Sequence, residues 1–290
     1  MRQSARWFSY VIAFVFRLCP KVIKTAAVEV LAFIWVDAFK IRKSVVYSNI
    51  EKALPGLTDQ QKNNIYKKSI RSLAKSFFDV LEIPYLTSEW INRNVIFHGL
   101  ENIDTQKPIL FLTLHLGSGD LGAAVVSHKL MPISLISKRF RSAFMDEFWF
   151  SLRGRSKTKF INAHGSQNAF EILKAVKKNH GIIFVLDQFM GKPYGVETHF
   201  FGHKTGTAYG LALFAAKTEK PVIPLYTYWG DDQKMHIVFK PAIDLSEFQN
   251  DNSEGKYQLM TQKFNAIIED IIRSQPEQWM WVHKRWKDFE

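Results

Sequence analysis

The sequence predicts an α/β fold, a mostly parallel twisted sheet flanked by helices, with a helical N-terminal extension that seeks a membrane surface. Three observations carry this. From about Val95 onward, short apolar runs alternate with helix-like runs, a rhythm that builds parallel strands covered on both faces. The 290 residues are 47% hydrophobic and 23% charged, enough apolar matter for a large core and too polar for a wholly membrane-embedded bundle. Finally, two apolar runs open the chain, and both fall short of the roughly 18 to 20 residues that span a bilayer. The expected division is residues 1–45 as membrane-anchoring helices and residues 46–290 as the α/β domain.

The first run is "WFSYVIAFVF" (Trp7 to Phe16). "RLCPK" breaks it, and "TAAVEVLAFIWVDAF" (Thr25 to Phe39) follows. Arg17, Lys21 and Lys24 lie between the runs, and Lys40, Arg42 and Lys43 follow the second. Positive flanks of this kind favour the cytoplasmic leaflet, so the region is expected to lie in or dip into the interface as an anchor. A buried helical hairpin is the plain alternative. "FRLCPK" is a poor signal-peptidase site.

Next, Pro55 and Gly56 make a turn, and Thr58 with Gln61 three residues on has the form of a capping box. From there Ile65, Ile70, Leu73, Phe77, Phe78 and Leu81 recur at helical spacing. The alternating region then runs through "PILFLTLHL", "GDLGAAVVSHKL", "PISLIS", "SAFMDEFWFSLRG", "KFINA" and "QNAFEILKAVKKN". It continues with "GIIFVLD", "TAYGLALFAAKTE", "PVIPLYTYW" and "MHIVFKPAI" before a closing helix within "NSEGKYQLMTQKFNAIIEDIIRSQPEQ". No repeat or low-complexity tract interrupts it.

In such sheets functional side chains gather at the carboxyl ends of strands. The run ending at Leu114 puts His115 at such an end and Asp120 in the first turn of the next helix. Two chemistries compete for this stretch. Gly117, Gly119 and Gly122 spell G-x-G-x-x-G, the layout of a dinucleotide turn and hence of an NADP-dependent oxidoreductase. Against that, His115 crowds the place of the phosphates, and the following strand ends in Lys138 and Arg139 rather than in an acidic ribose ligand, although these two cations would suit the 2′-phosphate of NADP. Alternatively, a neutral imidazole with its ordinary pKa of about 6.5 takes a proton from a substrate hydroxyl, and a nearby carboxylate fixes its tautomer. Ser118 lacks the G-x-S-x-G context of an enzyme nucleophile. A non-catalytic lipid-binding protein is a third possibility.

The net charge of +12 calls for an acidic partner: an anionic membrane, an acidic carrier or a phosphorylated substrate. Lys138, Arg139 and Arg141 stand where they would meet one. Lys204 and the "GHKTGT" backbone are expected to form an anion nest before a helix starting near Ala208. Asp187 ends another strand, suited to orienting substrate or capping the next turn. His199 and His203 lack a third ligand, so no metal is expected. "PEQWMWVHKRWK" interleaves Trp with basic residues, but no nucleic-acid motif accompanies it. The single cysteine, Cys19, excludes an internal disulfide framework and fits a reducing compartment.

Five blocks, "HLGSGDLGA", "LISKRFRSAFMDEFWFSLRGR", "GIIFVLDQ", "FFGHKTGTAYGLALFAAKTEKPVIPLYTYW" and "PEQWMWVHKRWK", fall in one order. Together they resemble the lipid A late acyltransferases (lauroyl and myristoyl transferases) of the lysophospholipid acyltransferase superfamily, along nearly the whole chain. The resemblance implies a glycerolipid-acyltransferase-like fold at the cytoplasmic face of a bacterial inner membrane. It implies transfer of an acyl chain from acyl carrier protein or coenzyme A to a hydroxyl of a lipid or glycolipid, with no metal or other cofactor and no nucleic acid. By it His115 becomes the base and Asp120 its partner, Arg139 contacts a phosphate or acyl-carrier group, and Asp187 and Thr205 to Thr207 stand in its third and fourth blocks. Arg139, Asp187, Thr205, Gly206 and Thr207, with the Lys204 of the anion nest, are the expected substrate-binding residues. That family usually carries Glu where this chain has Asp120, and the Asp form is typical of glycerolipid acyltransferases.

Overall fold

The computed structural model describes residues 2–165, 167–251, 253 and 255–290. Two helices open it, α1 (Arg2–Leu18) and α2 (Lys21–Phe33), the second running into a π-turn at Ile34–Ala38. Pro20 sits before α2, where a missing N–H costs nothing and no helix can run through unbroken. On α1 the small residues Ala5, Ser9 and Ala13 face inward and are fully buried. Ser9 Oγ lies 2.7 Å from Ser151 Oγ on a neighbouring helix. The opposite face leaves Trp7, Phe14 and Leu18 exposed. No helix among the described residues is long and apolar enough to cross a membrane.

Helices α3 (Lys43–Ala53) and α4 (Asp59–Asp79) follow, and α2 packs on α4. The capping box forms as expected. Gln61 N–H donates to Thr58 Oγ1 at 3.3 Å, and Thr58 N–H donates to Gln61 Oε1 at 2.8 Å. Together they satisfy two of the helix's open donors.

After the short α5 (Ser88–Asn94) come β1 (Val95–His98), β2 (Ile109–Thr113), α6 (Gly119–Lys129), β3 (Ile133–Ser137), α7 (Ala143–Arg153), β4 (Lys159–Asn162), α8 (Asn168–Lys177) and β5 (Gly181–Val185). Then follow β6 (Gly195–Phe200), β7 (His203–Ala208), α9 (Gly210–Thr218), β8 (Val222–Trp229), β9 (Met235–Phe239) and α10 (Lys256–Ser274). The main sheet has the order β1-β9-β8-β2-β5-β3-β4. Only β8 and β9 run antiparallel in it; every other pair is parallel. On one face Leu110, Leu112, Ile182 and Phe184 pack with residues of α8, α9 and α10. On the other, Ile109, Phe111, Ile133 and Ile183 pack with α6 and with Ala13 of α1. Burial on both sides is why β2 and β5 read as unbroken apolar runs.

Two elements depart from expectation. "GHKTGT" is not a turn before a helix but β7, paired antiparallel with β6 in a separate hairpin from Gly195↔Ala208 to Phe200↔His203. Its alternation of Thr and Gly lacks the apolar period that marks a strand. β1 is the other: it is four residues long, and among the described residues its strand partner is β9, about 140 residues further along the chain.

Candidate active site

His115 and Asp187 leave two adjacent parallel strands at the same level. Thr113 pairs with Val185 across β2 and β5, so the residue two beyond each lies beside the other. His115 Nδ1 is 2.8 Å from Asp187 Oδ1, and the His115 backbone N–H donates to Asp187 Oδ2 at 2.9 Å. Trp279 Nε1–H donates to the same Oδ2 at 2.7 Å. An ionised carboxylate only accepts, so Nδ1 carries the imidazole proton and Nε2 is left with the free lone pair of a base. Asp187 is 1% accessible, whereas the His115 side chain is 41% accessible, reached from a cavity.

The electrostatics fit that placement. Burial is the largest influence on His115 and opposes its charged form. The negative charge of Asp187, their hydrogen bond and the charge of Asp120 outweigh it, so the imidazole pKa is raised above its ordinary value. Asp187 is pushed upward by burial but held by His115, Trp279 and the backbone N–H, which bring it down to about 2. It stays a carboxylate throughout the working pH range.

Asp120 has a different partner from the one its spacing suggests. Its Oδ1 lies 2.6 Å from Arg153 Nη2. Arg153 is buried at the end of α7, donates to Ser137 Oγ at 3.2 Å and stacks near Phe160. The physical reason is geometric: Asp120 opens α6, where α7's terminal arginine supplies a full charge, while the β2–β5 register hands His115 a carboxylate from the adjacent strand. Asp120 still acts on His115, through space.

The glycines between them have packing reasons. Gly117 has φ +55°, and a Cβ there would stand 2.6 Å from Thr227 O. At Gly122 a Cβ would overlap Thr227 Cγ2, so this glycine lets α6 lie against β8. Both are spent on Thr227 rather than on a pyrophosphate. Ser118 is buried and donates to Asp79 Oδ2, with Trp229 Nε1–H donating to Ser118 Oγ at 2.9 Å. It braces the turn against α4.

The cavity above this pair has a volume of about 860 Å3. Its walls include apolar Leu73, Ala169, Ile172 and Phe214, and polar Asp120, Lys138, Arg153 and His283. An apolar-walled cavity beside a few convergent polar groups has the form of a site for a long apolar ligand with a polar head. His283, half-buried, is pulled down to about 4 by burial and is neutral at the working pH; its Nε2 accepts the Phe189 N–H at 3.0 Å.

Of the other expected site residues, none but Asp187 reaches this centre. Arg139 pairs with Asp146 at 2.6 Å and lies over the Phe150 ring, while its neighbour Lys138 lines the cavity. Lys204 pairs with Glu197 at 3.1 Å on the hairpin surface. Thr205 and Thr207 are fully buried. Their hydroxyls and the Gly206 carbonyl accept from the buried Arg285 guanidinium at 3.1, 2.6 and 2.7 Å. These three positions hold the chain's C-terminal segment and do not line the cavity. The anion nest expected at Lys204 is therefore corrected to a structural latch. Arg153 and Trp279 are site residues that the sequence does not mark, although both stand in the blocks that carry the family resemblance; nothing local distinguishes Arg153 from Arg139 or Arg155. Among the described residues no group of His, Cys, Asp and Glu is placed to hold a metal ion.

The sequence comparisons with known proteins agree with one another. The family model for bacterial lipid A biosynthesis acyltransferases matches residues 1–288. A lipid A biosynthesis acyltransferase of Haemophilus influenzae is 25% identical over 256 residues, covering 86% of this chain and 77% of that protein. The lipid A biosynthesis lauroyltransferase of Escherichia coli is 22% identical over 253 residues, 86% of this chain and 80% of that one. The palmitoleoyltransferase of the same organism is 21% identical over 253 residues, 86% and 79%. Among solved structures, the 1-acyl-sn-glycerophosphate acyltransferase of Thermotoga maritima aligns with a TM-score of 0.41 and 13% identity, over 88% of this chain and 96% of that one.

Proposed function

Because the chain belongs to the bacterial lipid A biosynthesis acyltransferase family and is an O-acyltransferase acting on lipid, we propose that it moves a fatty acyl chain from a thioester of acyl carrier protein or coenzyme A to a hydroxyl of a glycolipid such as a lipid A precursor. The observation that carries the mechanism is the His115–Asp187 pair, whose imidazole lines the cavity while the carboxylate is buried behind it. His115 Nε2 takes the proton of the acceptor hydroxyl, and the oxygen attacks the thioester carbonyl. Asp187 holds the imidazolium that forms. The tetrahedral oxyanion collapses, the C–S bond breaks, and the thiolate receives the proton back from His115. Each turnover thus consumes one thioester and one hydroxyl and yields one ester and one thiol. Arg153, a cation in the cavity wall held by Asp120, stabilises negative charge developing there.

The acceptor's route is supported by exposed apolar side chains on α1 and α7 and at the cavity wall. Exposed Phe8 of α1 packs beside exposed Phe144 of α7, with ring centroids 6.3 Å apart. Phe140, two residues before the Ser142 cap of α7, is both exposed and part of the cavity wall. A membrane face of this kind, on the cytoplasmic side, delivers acyl chains without their leaving lipid. The positive net charge favours the anionic surface and the acidic carrier.

The test is direct. The purified chain on lipid vesicles, given a lauroyl thioester of acyl carrier protein and a lipid A precursor, yields a product heavier by one acyl chain in mass spectrometry. His115→Ala lowers the rate by several orders of magnitude. Full transfer in that variant rejects the mechanism.

A further inference from the structure

The segment after α10 crosses the catalytic turn as a strap. Trp279 forms an antiparallel bridge with Leu116. Met280 N–H donates to His115 O at 3.1 Å, and Gly117 N–H donates to Gln278 O at 3.2 Å. The strap is pinned elsewhere by Asn49, whose Nδ2 donates to the carbonyls of Trp281 and His283 at 2.7 Å each. Arg285 pins it again on the β6–β7 hairpin. The Trp-rich tail thus grips His115 by its backbone and Asp187 by its side chain.

We infer that Trp279 is a positioning residue for the His115–Asp187 pair, its indole N–H fixing Asp187 Oδ2 so that Oδ1 faces the imidazole, and that the C-terminal strap is therefore part of the catalytic apparatus. The inference rests on the mechanism proposed above. Trp279 is almost wholly buried and its ring packs on Trp281 and Phe200, with centroids 4.5 and 6.0 Å away. The indole cannot swing away without opening that cluster. Its N–H also withdraws charge from the carboxylate it holds. Without that donor the carboxylate is more basic, stabilises the imidazolium more strongly and raises the His115 pKa, leaving less neutral base at a given pH. The other charged or titratable neighbours of the pair are Asp120, Arg153, His283 and Arg285, and all remain when only the indole changes.

A paired substitution separates positioning from mere packing. Trp281 is as buried as Trp279 and also donates its indole N–H over 2.7 Å, but to Pro276 O. Trp279→Phe and Trp281→Phe in the full chain therefore lose the same kind of bond and similar volume. In Trp279→Phe, turnover of the lauroyl thioester and lipid A precursor falls about tenfold with little change in KM. The His115 titration, followed by 15N NMR of histidine-labelled protein, moves up by about half a unit to one unit, as does the acid limb of the rate profile. In Trp281→Phe the thermal midpoint falls comparably and the His115 titration stays in place. Replacing Trp279 with 3-benzothienylalanine, which keeps the bicyclic shape and lacks only the N–H, gives the same upward shift should the Phe variant not fold. An unmoved His115 titration in either Trp279 variant overturns the inference. Persisting transfer in His115→Ala overturns instead the mechanism on which it rests.

Discussion

Asp120 and Arg153 form an ion pair of 2.6 Å in the wall of the cavity that opens onto His115. The Arg153 side chain is nearly inaccessible, and its Nε has no hydrogen-bond partner among the described residues. The pair thus keeps a cation at the site that would be costly to bury alone.

Asp120→Asn removes the charge that holds Arg153 and one of the two negative charges acting on His115. The base is needed in its neutral form, so a lower His115 pKa moves the acid limb of kcat/KM to lower pH. That is opposite in sign to the shift expected of Trp279→Phe. The maximal rate falls by about a hundredfold, as the cation loses its fixed position. Rate profiles of the two variants, measured side by side, check both directions.

Gly122→Ala places a methyl group onto Thr227 Cγ2 and lowers stability by about 1–3 kcal/mol in urea unfolding. Thr227→Ser takes away that methyl and keeps the hydroxyl that donates to Leu116 O at 3.1 Å. The double variant recovers most of the loss. A nucleotide cradle predicts no such rescue.

Arg285→Ala leaves Thr205, Gly206 and Thr207 without their common donor and costs about 3 kcal/mol or more of stability. Arg285→Lys does not restore it, because an ammonium cannot present the planar fork that meets acceptors on three successive residues. The urea midpoints of the three proteins test this. Burial draws the Arg285 pKa down to about 10, so the guanidinium is charged at neutral pH.

If α1 is the docking face proposed above, changing its exposed Trp7, Phe14 and Leu18 together to Ser weakens binding to anionic vesicles by about two to three orders of magnitude, through the loss of apolar area. All three sit on the solvent face of α1, away from Ala5, Ser9 and Ala13, so the fold survives. Vesicle flotation measures the loss. Unchanged flotation rejects α1 as the docking face.

What the sequence by itself determined is local. The apolar runs that form β2, β3, β5 and β8 are legible because run length and composition depend on residues a few positions apart. The Thr58 cap and the break at Pro20 are likewise written in adjacent residues. His115 was legible for the same reason, since it directly follows a strand and precedes a glycine turn. Its partner was not. Asp120, five residues off, looked near along the chain, while Asp187 lies 72 residues on and Trp279 a further 92. Those distances close only through strand register and the return of the C-terminal strap. A register is set by the packing of two whole strands and carries no signature at the residues it brings together. The β7 threonines differ from expectation for the same reason: their partner Arg285 comes from across the sequence, and burial makes this polar stretch a latch. Chemistry at a single position could be read from the chain, but the pairing of His115 with Asp187 belongs to the tertiary structure.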